Sequence, residues 1–576
     1  MIISVIGVVI TMAKDPSAVQ ELSIGPFAGG INTYSDPAMI ADDELVDCVN
    51  FDLSLDGSLV SRPPWSVLTS RMDPSTSGSV DSLDSYQIVI GTGTFEGNRY
   101  VIVNSSHIAG VPASYIYYVD GPVAGLLAKI GDGVHSKAHR YADDVYLVPD
   151  IQSPNLGLVY DLSGGLVTLI PTMPQGYASV VYKDRLWISG RRNITLNSRL
   201  YFSDLALFST WPGTNFFDIN PGDGDSVNDL VVYQDNLIIF KDNATYVLAY
   251  DTGPAQAVLQ EINSDIGSMG GRCVDVYENS IFVLKYNQLY EMSNYDYVRV
   301  SVKLPFEYDA TLPTGNYSTS GQYWRYPFWL RIVGDRAIVR FYNRIYVYHL
   351  RLRGWTRWDS EDPNIKYMGP PTRLDNTNTG LRRGFDTYIA GSTLGKGIDA
   401  QGTGSVGAWK MYFKLFKMED QYTLTNTENG NVTPSVPPVD VNLSMLTKQF
   451  DIGLSHRFKR LMHWGLDCYT GRGVTGTLFP FSVAYKVTWN QLALYHWHEL
   501  NTWDYPLTDI PGVTQQVSSG AGIQIKFVRF PKSLRFRLLQ FKIEMMTKGN
   551  KEDGPAYIYS LTAFVAAHQL VPKAVN

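Results

Sequence analysis

Charge is scarce in this chain. Asp, Glu, Lys and Arg make up 18% of its 576 residues, against roughly 25% in an average globular domain. A surface so poor in charge is one that neighbours cover, so assembly enters the reading at once. Cysteine is nearly missing: Cys48, Cys273 and Cys468 lie far apart and are odd in number. That excludes a disulfide framework and a zinc pattern and leaves three small interior hydrophobes. No long basic run accompanies the net charge of −7, which excludes a firm grip on phosphate backbones. Passing contact with DNA, genomic DNA in transit included, is compatible with this balance, because a channel that lets DNA slide should not grip it. No apolar run reaches the ~20 residues that a membrane helix needs, so a soluble chain is expected. The apolar start, Met1–Ile10, has no Lys or Arg before it and no cleavage site after it, and Met12 is an alternative first residue. Helical periodicity is also almost absent.

What remains is rich in aromatic (13%) and apolar (44%) residues, a composition that excludes disorder. Short alternating or apolar runs bounded by Gly, Asp, Asn and Pro give an all-β reading. One short helix is predicted near residues 41–49. Asp42 or Asp43 would cap it, with Leu45, Cys48 and Val49 on one face.

From about residue 86 a loose repeat emerges. Its cleanest copies are Val180–Ser189, Val231–Phe240 and Asp275–Leu284, with weaker ones at Arg140–Val148 and Val333–Phe341. Each reads as strand, tight Asp/Asn turn, strand. The marker tyrosines Tyr182, Tyr233 and Tyr277 are 51 and then 44 residues apart, the length of a four-stranded propeller blade. The expectation is a degenerate β-propeller of six to eight blades over residues 71–422, without a WD or kelch signature. Before it come an apolar segment (1–24) and an irregular arm (25–70). After it come a Pro-rich linker (423–442) and a β-sandwich (443–576).

No motif completes a catalytic or cofactor constellation. Gly391–Gly397 is one residue short of a phosphate loop and has Gly397 where Ser or Thr should hold magnesium. His496-Trp-His498 offers two imidazoles without a third ligand. Asn220–Ser226 is an acidic Gly-rich turn that could meet calcium through Asp223 and Asp225, but it lacks the EF-hand glutamate. No G-x-S-x-G elbow occurs. The expectation is no enzyme, no metal and no cofactor.

The most specific order of residues lies at the start. Gly25-Pro-Phe-Ala-Gly-Gly-Ile-Asn-Thr-Tyr-Ser-Asp-Pro37 is followed by Ala41–Asp52 and then by Asp56–Trp65. This order resembles the N-terminal region of structural (minor) tail proteins of tailed bacteriophages. That propeller-bearing family includes tail-tip proteins of long-tailed phages and nozzle or stabilisation proteins of short-tailed ones. Tyr182–Ser189, Leu200–Asp204, Trp211-Pro212, Pro221–Asp225 and Tyr346–Trp358 are similar to later parts of it. The family's Arg-Pro-Gly stands here as Arg62-Pro63-Pro64. The resemblance implies a virion protein in the phage tail, a minor tail protein at the tail tip. A nozzle ring or a host-glycan-binding adhesin are the alternatives. Its partners would be further copies of itself (three or six) and other tail proteins, with host-surface glycan as a further contact. The arm residues expected to serve assembly are Gly29, Gly30, Asn32, Asp36, Pro37, Asn50, Asp52, Arg62 and Trp65. Gly29 and Gly30 would permit close backbone approach, and the short polar groups would satisfy local amides.

Overall fold

The computed structural model describes residues 19–62, most of 135–306, 328–359 and 441–450, and elsewhere the individual strands named below, up to Ala567. The repeat folds first as hairpins. Tyr182 pairs with Arg185 and Tyr233 with Asn236, leaving the two-residue turns Lys183-Asp184 and Gln234-Asp235. These four residues have φ between 48° and 59°, the paired left-handed turn whose twist matches that of the flanking strands. Each hairpin gains a third and a fourth strand. The products are four antiparallel four-stranded sheets, over residues 135–170, 178–218, 227–263 and 274–299.

Adjacent sheets pack face to face. In the strand Asn236–Lys241, Leu237 and Ile239 join the core shared with Trp187 and Phe202 of the preceding sheet. Ile238 and Phe240, pointing the other way, join the core shared with Val283 and Met292 of the next. Both faces are covered, which is why this strand reads as an unbroken apolar run rather than an alternating one. The marker tyrosines fasten the stack. The Tyr182 hydroxyl donates to the Asp235 carbonyl (2.9 Å), and the Tyr233 hydroxyl to the Asn279 carbonyl (2.7 Å). Each reaches the hairpin turn of the following sheet, so the repeat period is the spacing of a mechanical staple.

The all-β content stands, at 59% strand, but the expected closed propeller does not. The sheets are flat and do not curl into a closed ring. Strands 80–132 and 365–418, expected to be blades, merge instead into one nine-stranded sheet. Residues 443–576 do not make a self-contained sandwich either. Val441–Thr447, Phe481–Thr488 and Leu538–Thr547 extend a ten-stranded sheet that begins with Phe328–Trp358, and Lys459–Tyr469 and Tyr557–Ala567 sit in a seven-stranded one. A repeat length specifies the unit; curvature and closure come from packing at the ends of the row.

The predicted helix over 41–49 is likewise a strand, and no α-helix occurs among the described residues. Leu45 pairs with Thr447 and Asp47 with Leu446, so an extra residue bulges out between them. The bulge resets the alternation and turns both Leu45 and Cys48 inward. Spacings of three and four mimicked a helical face for that reason.

The end of the apolar segment forms β1 (Val19–Ile24), and the arm supplies five strands: β2 (Gly30–Ile31), β3 (Glu44–Val49), β4 (Phe51–Leu53), β5 (Leu59–Ser61) and β6 (Trp65–Val67). β2 and β3 occupy the middle of the ten-stranded sheet, between Gly354–Trp358 and Val441–Thr447. β1 and β5 pair with Tyr557–Ala567 in the seven-stranded sheet, and β6 pairs with Lys410–Met418 in the nine-stranded one. One core joins the ten- and seven-stranded sheets, holding Phe27, Phe51, Leu59, Trp355, Leu443 and Ile558 together. Residues 1–18 and the linker over 423–440 lie outside the described residues, as does His496-Trp-His498.

The staples are separable from the turns they reach. Tyr182→Phe and Tyr233→Phe are each expected to cost about 1 kcal/mol in urea unfolding. Asp235→Asn should be near neutral, because the main-chain carbonyl is the acceptor and Asn tolerates positive φ. An Asp235→Asn loss equal to that of Tyr182→Phe would refute the staple.

Candidate functional site

The arm residues gather into two adjoining groups and a loop. In the first group, Gly30 is paired in parallel register on both edges, with Glu44 of β3 and with Trp355, and its amide donates to the Phe27 carbonyl (3.1 Å). Its φ is +63°, and a Cβ there would meet the Trp355 N and O at 2.5 Å. Glycine is required at this point. A Cβ on Gly29 would meet the Glu44 side chain at 2.7 Å. Asn32, buried, donates from Nδ2 to Glu44 Oε2 (2.7 Å), and its Oδ1 accepts the Tyr34 and Ser35 amides. Glu44 also takes the Ala41 amide (2.9 Å) and the Lys303 ammonium (2.7 Å). Burial pushes the Glu44 carboxyl upward, but the bonds from Lys303, Ala41 and Asn32 outweigh it and hold it below its usual range.

The second group is a buried polar seam between β4, β5 and the strands Arg336–Phe341, Arg344–His349 and Gly354–Trp358. Asn50, at φ 61°, accepts on Oδ1 from Arg62 Nε (2.8 Å) and from the Asp359 amide (2.9 Å). Arg62 is fully buried and also donates from Nη2 to the Asp359 carbonyl (3.3 Å). Asp52, 1% exposed, accepts the Trp358 indole N–H on Oδ1 (2.8 Å) and forms an ion pair through Oδ2 with Arg336 Nη2 (3.1 Å). Beside it, His349 Nε2 faces the Leu53 amide at 3.4 Å and Thr356 Oγ1 at 3.1 Å. An amide can only donate, so Nε2 carries the lone pair and the imidazole is neutral. Burial drives its pKa down to about 4, with Asp52 opposing and Arg336 assisting.

Asp36 and Pro37 lie on the loop between β2 and β3. Asp36 Oδ1 accepts the Ala38 amide (2.8 Å), and the Pro37 carbonyl accepts the Gln449 amide (2.9 Å). Trp65 stands apart: its backbone in β6 pairs with Met418. Sequence reasoning gave no site role to Arg336 or Lys303. Glu44, His349 and Trp358 were visible inside the Ala41–Asp52 and Tyr346–Trp358 stretches, but not as partners of Asn32, Leu53 and Asp52.

Chemically, these groups hold one another. Cys48 and Cys273 are buried, and burial pushes their thiols well above their ordinary pKa, which disfavours the reactive thiolate. The acidic turn read as a calcium candidate is engaged internally. Lys241, fully buried, donates to Asp223 Oδ2 (2.5 Å), Ser198 Oγ (3.0 Å) and the Ile219 carbonyl (3.1 Å). Asp225 accepts from Asn243 N and Nδ2 at 3.0 and 3.1 Å. An ammonium thus fills the position a cation would take. Among the described residues no cluster of three His, Cys, Asp or Glu side chains is arranged to hold a metal ion. Gly391–Gly395 of the phosphate-loop candidate runs inside the strand Asp386–Gly395, paired with Lys410–Met418.

Two measurements test the seam. Asp52→Asn sets an amide donor against Arg336. It should cost about 3 kcal/mol in chemical denaturation, the low end for breaking a buried pair because Arg336 reaches partly to solvent. For His349 the folded pKa of about 4 lies below the ordinary 6.5. The unfolded chain therefore takes up the proton first as pH falls. Stability is full above about pH 6.5 and declines towards pH 4, by at most ~1.4 kcal/mol per pH unit from this group. His349→Gln, which keeps an acceptor for Leu53, should flatten the decline between pH 6.5 and 4 in urea midpoints. An unchanged slope would assign the acid sensitivity elsewhere.

No protein-family model matches the chain, and neither does any curated protein. Among solved structures it is similar to the extracellular domain of a hybrid two component system from B. thetaiotaomicron, at 10% identity and TM-score 0.38, over 67% of this chain and 45% of that one. It is also similar to the Neurospora crassa Pan2 WD40 domain, at 10% identity and TM-score 0.35, over 62% of this chain and 97% of that one. A third likeness is to the AfRom2 CNH domain, at 8% identity and TM-score 0.35, over 62% and 99%. The chain spans less than half the length of the first of these, and likenesses this weak carry no argument about function.

Proposed function

We propose that this chain is a structural protein of the bacteriophage virion: a minor tail protein, assembled in several copies at the tail tip, without catalytic activity. The observation that carries the reading is the ordered residue set from Gly25 to Trp65, which resembles the N-terminal region of phage tail proteins. Supporting it, several of the same residues are closely held, from Gly30 between two strands to buried Arg62 in the seam. A charge content of 18% suits a chain whose surface is shared with copies of itself and with other tail proteins. Contacts between copies on a common axis either close into a ring or grow without limit.

Quantitative mass spectrometry of purified particles should find this chain in an integer multiple of three per tail, with density on the tail axis. A single copy, or density confined to side fibres, would refute the reading. Release of product from host wall polysaccharide by the purified chain would instead mark a glycan hydrolase.

A further inference from the structure

The loop between β2 and β3 is held rigidly and yet presents its large apolar groups to solvent. The Thr33 and Tyr34 amides donate to the Lys303 carbonyl, at 2.9 and 3.2 Å. The Met39 amide donates to the Asp36 carbonyl (2.8 Å). Lys448 Nζ donates to the Ile40 carbonyl (3.0 Å) and to Asp42 Oδ1 (2.5 Å). On this fixed backbone Tyr34 is 70% and Met39 79% exposed, while Ile40 between them and β3 is buried. Large apolar side chains held out on an ordered loop are anchors that lose little entropy on docking. The loop is also acidic. Lys303 and Lys448 pair with Glu44 and Asp42, whereas Asp36 and Asp43, both exposed, have no ion-pair partner among the described residues.

A complementary surface exists on the same chain. The turn Leu350–Arg353 is fixed by the Leu350 amide on the Asp335 carbonyl (2.8 Å) and by the Arg353 amide on the His349 carbonyl (2.7 Å). Leu352 packs against the main core, and on either side of it Arg351 and Arg353 are exposed without an ion-pair partner among the described residues. A fixed loop carrying unpaired Asp36 and Asp43 beside exposed apolar groups and a fixed turn carrying two unpaired arginines are opposite in charge. We infer that the Thr33–Asp43 loop of one copy docks on the Leu350–Arg353 turn of another copy of this chain. Tyr34 and Met39 are the anchors and the charges set the orientation. The inference rests on the multi-copy assembly proposed above and names its contact.

The test uses the full chain in assembled particles. With Met39→Cys and Arg351→Cys on one chain, a short bismaleimide should give covalent dimers or larger species on a denaturing gel. Neither single variant nor the unsubstituted chain should do so. Asp43→Arg should lower the number of copies per particle by at least roughly tenfold, and adding Arg353→Asp should restore it. Monomer alone at normal copy number, or no restoration by the charge exchange, overturns the contact while leaving multi-copy assembly standing. Absence of the unsubstituted chain from particles overturns the assembly reading and the contact with it.

Discussion

Two residues of the arm, Gly30 and Ile31, carry backbone pairing to strands far apart in the chain, with Glu44 and Leu45 on one side and Trp355 on the other. Pairing here is parallel, whereas the other described ladders are antiparallel apart from the adjoining Val49–Arg357 contact. A parallel pair cannot be closed by a hairpin. The strand must be laid in from a distant segment, and a side chain at residue 30 would collide with the Trp355 backbone. Without that insertion, Gly354–Trp358 would meet β3 only through the Val49–Arg357 pairing at its far end.

Backbone pairing alone would leave the register of such a short insertion weakly specified, since a one-residue slip costs few bonds. The polar seam removes that freedom. Asn50 must lie where it meets both Arg62 and Asp359, and Asp52 where it meets Trp358 and Arg336. Buried ion pairs add little net stability compared with apolar packing, but a displaced one leaves an uncompensated charge in the core. The apolar core around Phe27, Phe51 and Trp355 supplies cohesion; the seam selects one alignment. A neutral His349 fits this division, because a charged imidazole beside Arg336 would oppose it.

The sequence was informative wherever the physics is local. The hairpins at Lys183-Asp184 and Gln234-Asp235 follow from turn chemistry, and Tyr182 and Tyr233 mark a true structural period. Glycine at 30 and the short polar residues 32, 50 and 52 could be singled out because such residues in an irregular arm must satisfy backbone or close approach. Their partners could not. Trp358 is 306 residues from Asp52, and Lys303 sits in a bend beyond the strand Asp296–Arg299; nothing in one sequence ties such pairs together. The bulge between Leu45 and Asp47 defeated periodicity itself, because an inserted residue converts a spacing of two into three. Closure of the row of sheets was beyond reach for another reason. It depends on accumulated twist and on what meets the last sheet, and a repeat length encodes neither.

The loop and the joint are mechanically one unit. Asn32 stands at the loop's entrance and Glu44 at its exit, and they bond to each other across its base at 2.7 Å. Lys303 reaches the same carboxylate from a different segment. A load on Tyr34 or Met39 therefore passes into the Asn32–Glu44 pair, and from Glu44 into the residue that flanks Gly30. Were the loop only a connection, a short polar turn would satisfy the backbone at less entropic cost. The arm instead uses eleven residues, Thr33 to Asp43, with fixed backbone and outward apolar groups. That expense is understandable if the segment that aligns the inner sheets also meets the next molecule. Assembly and internal register would then be secured by the same carboxylate.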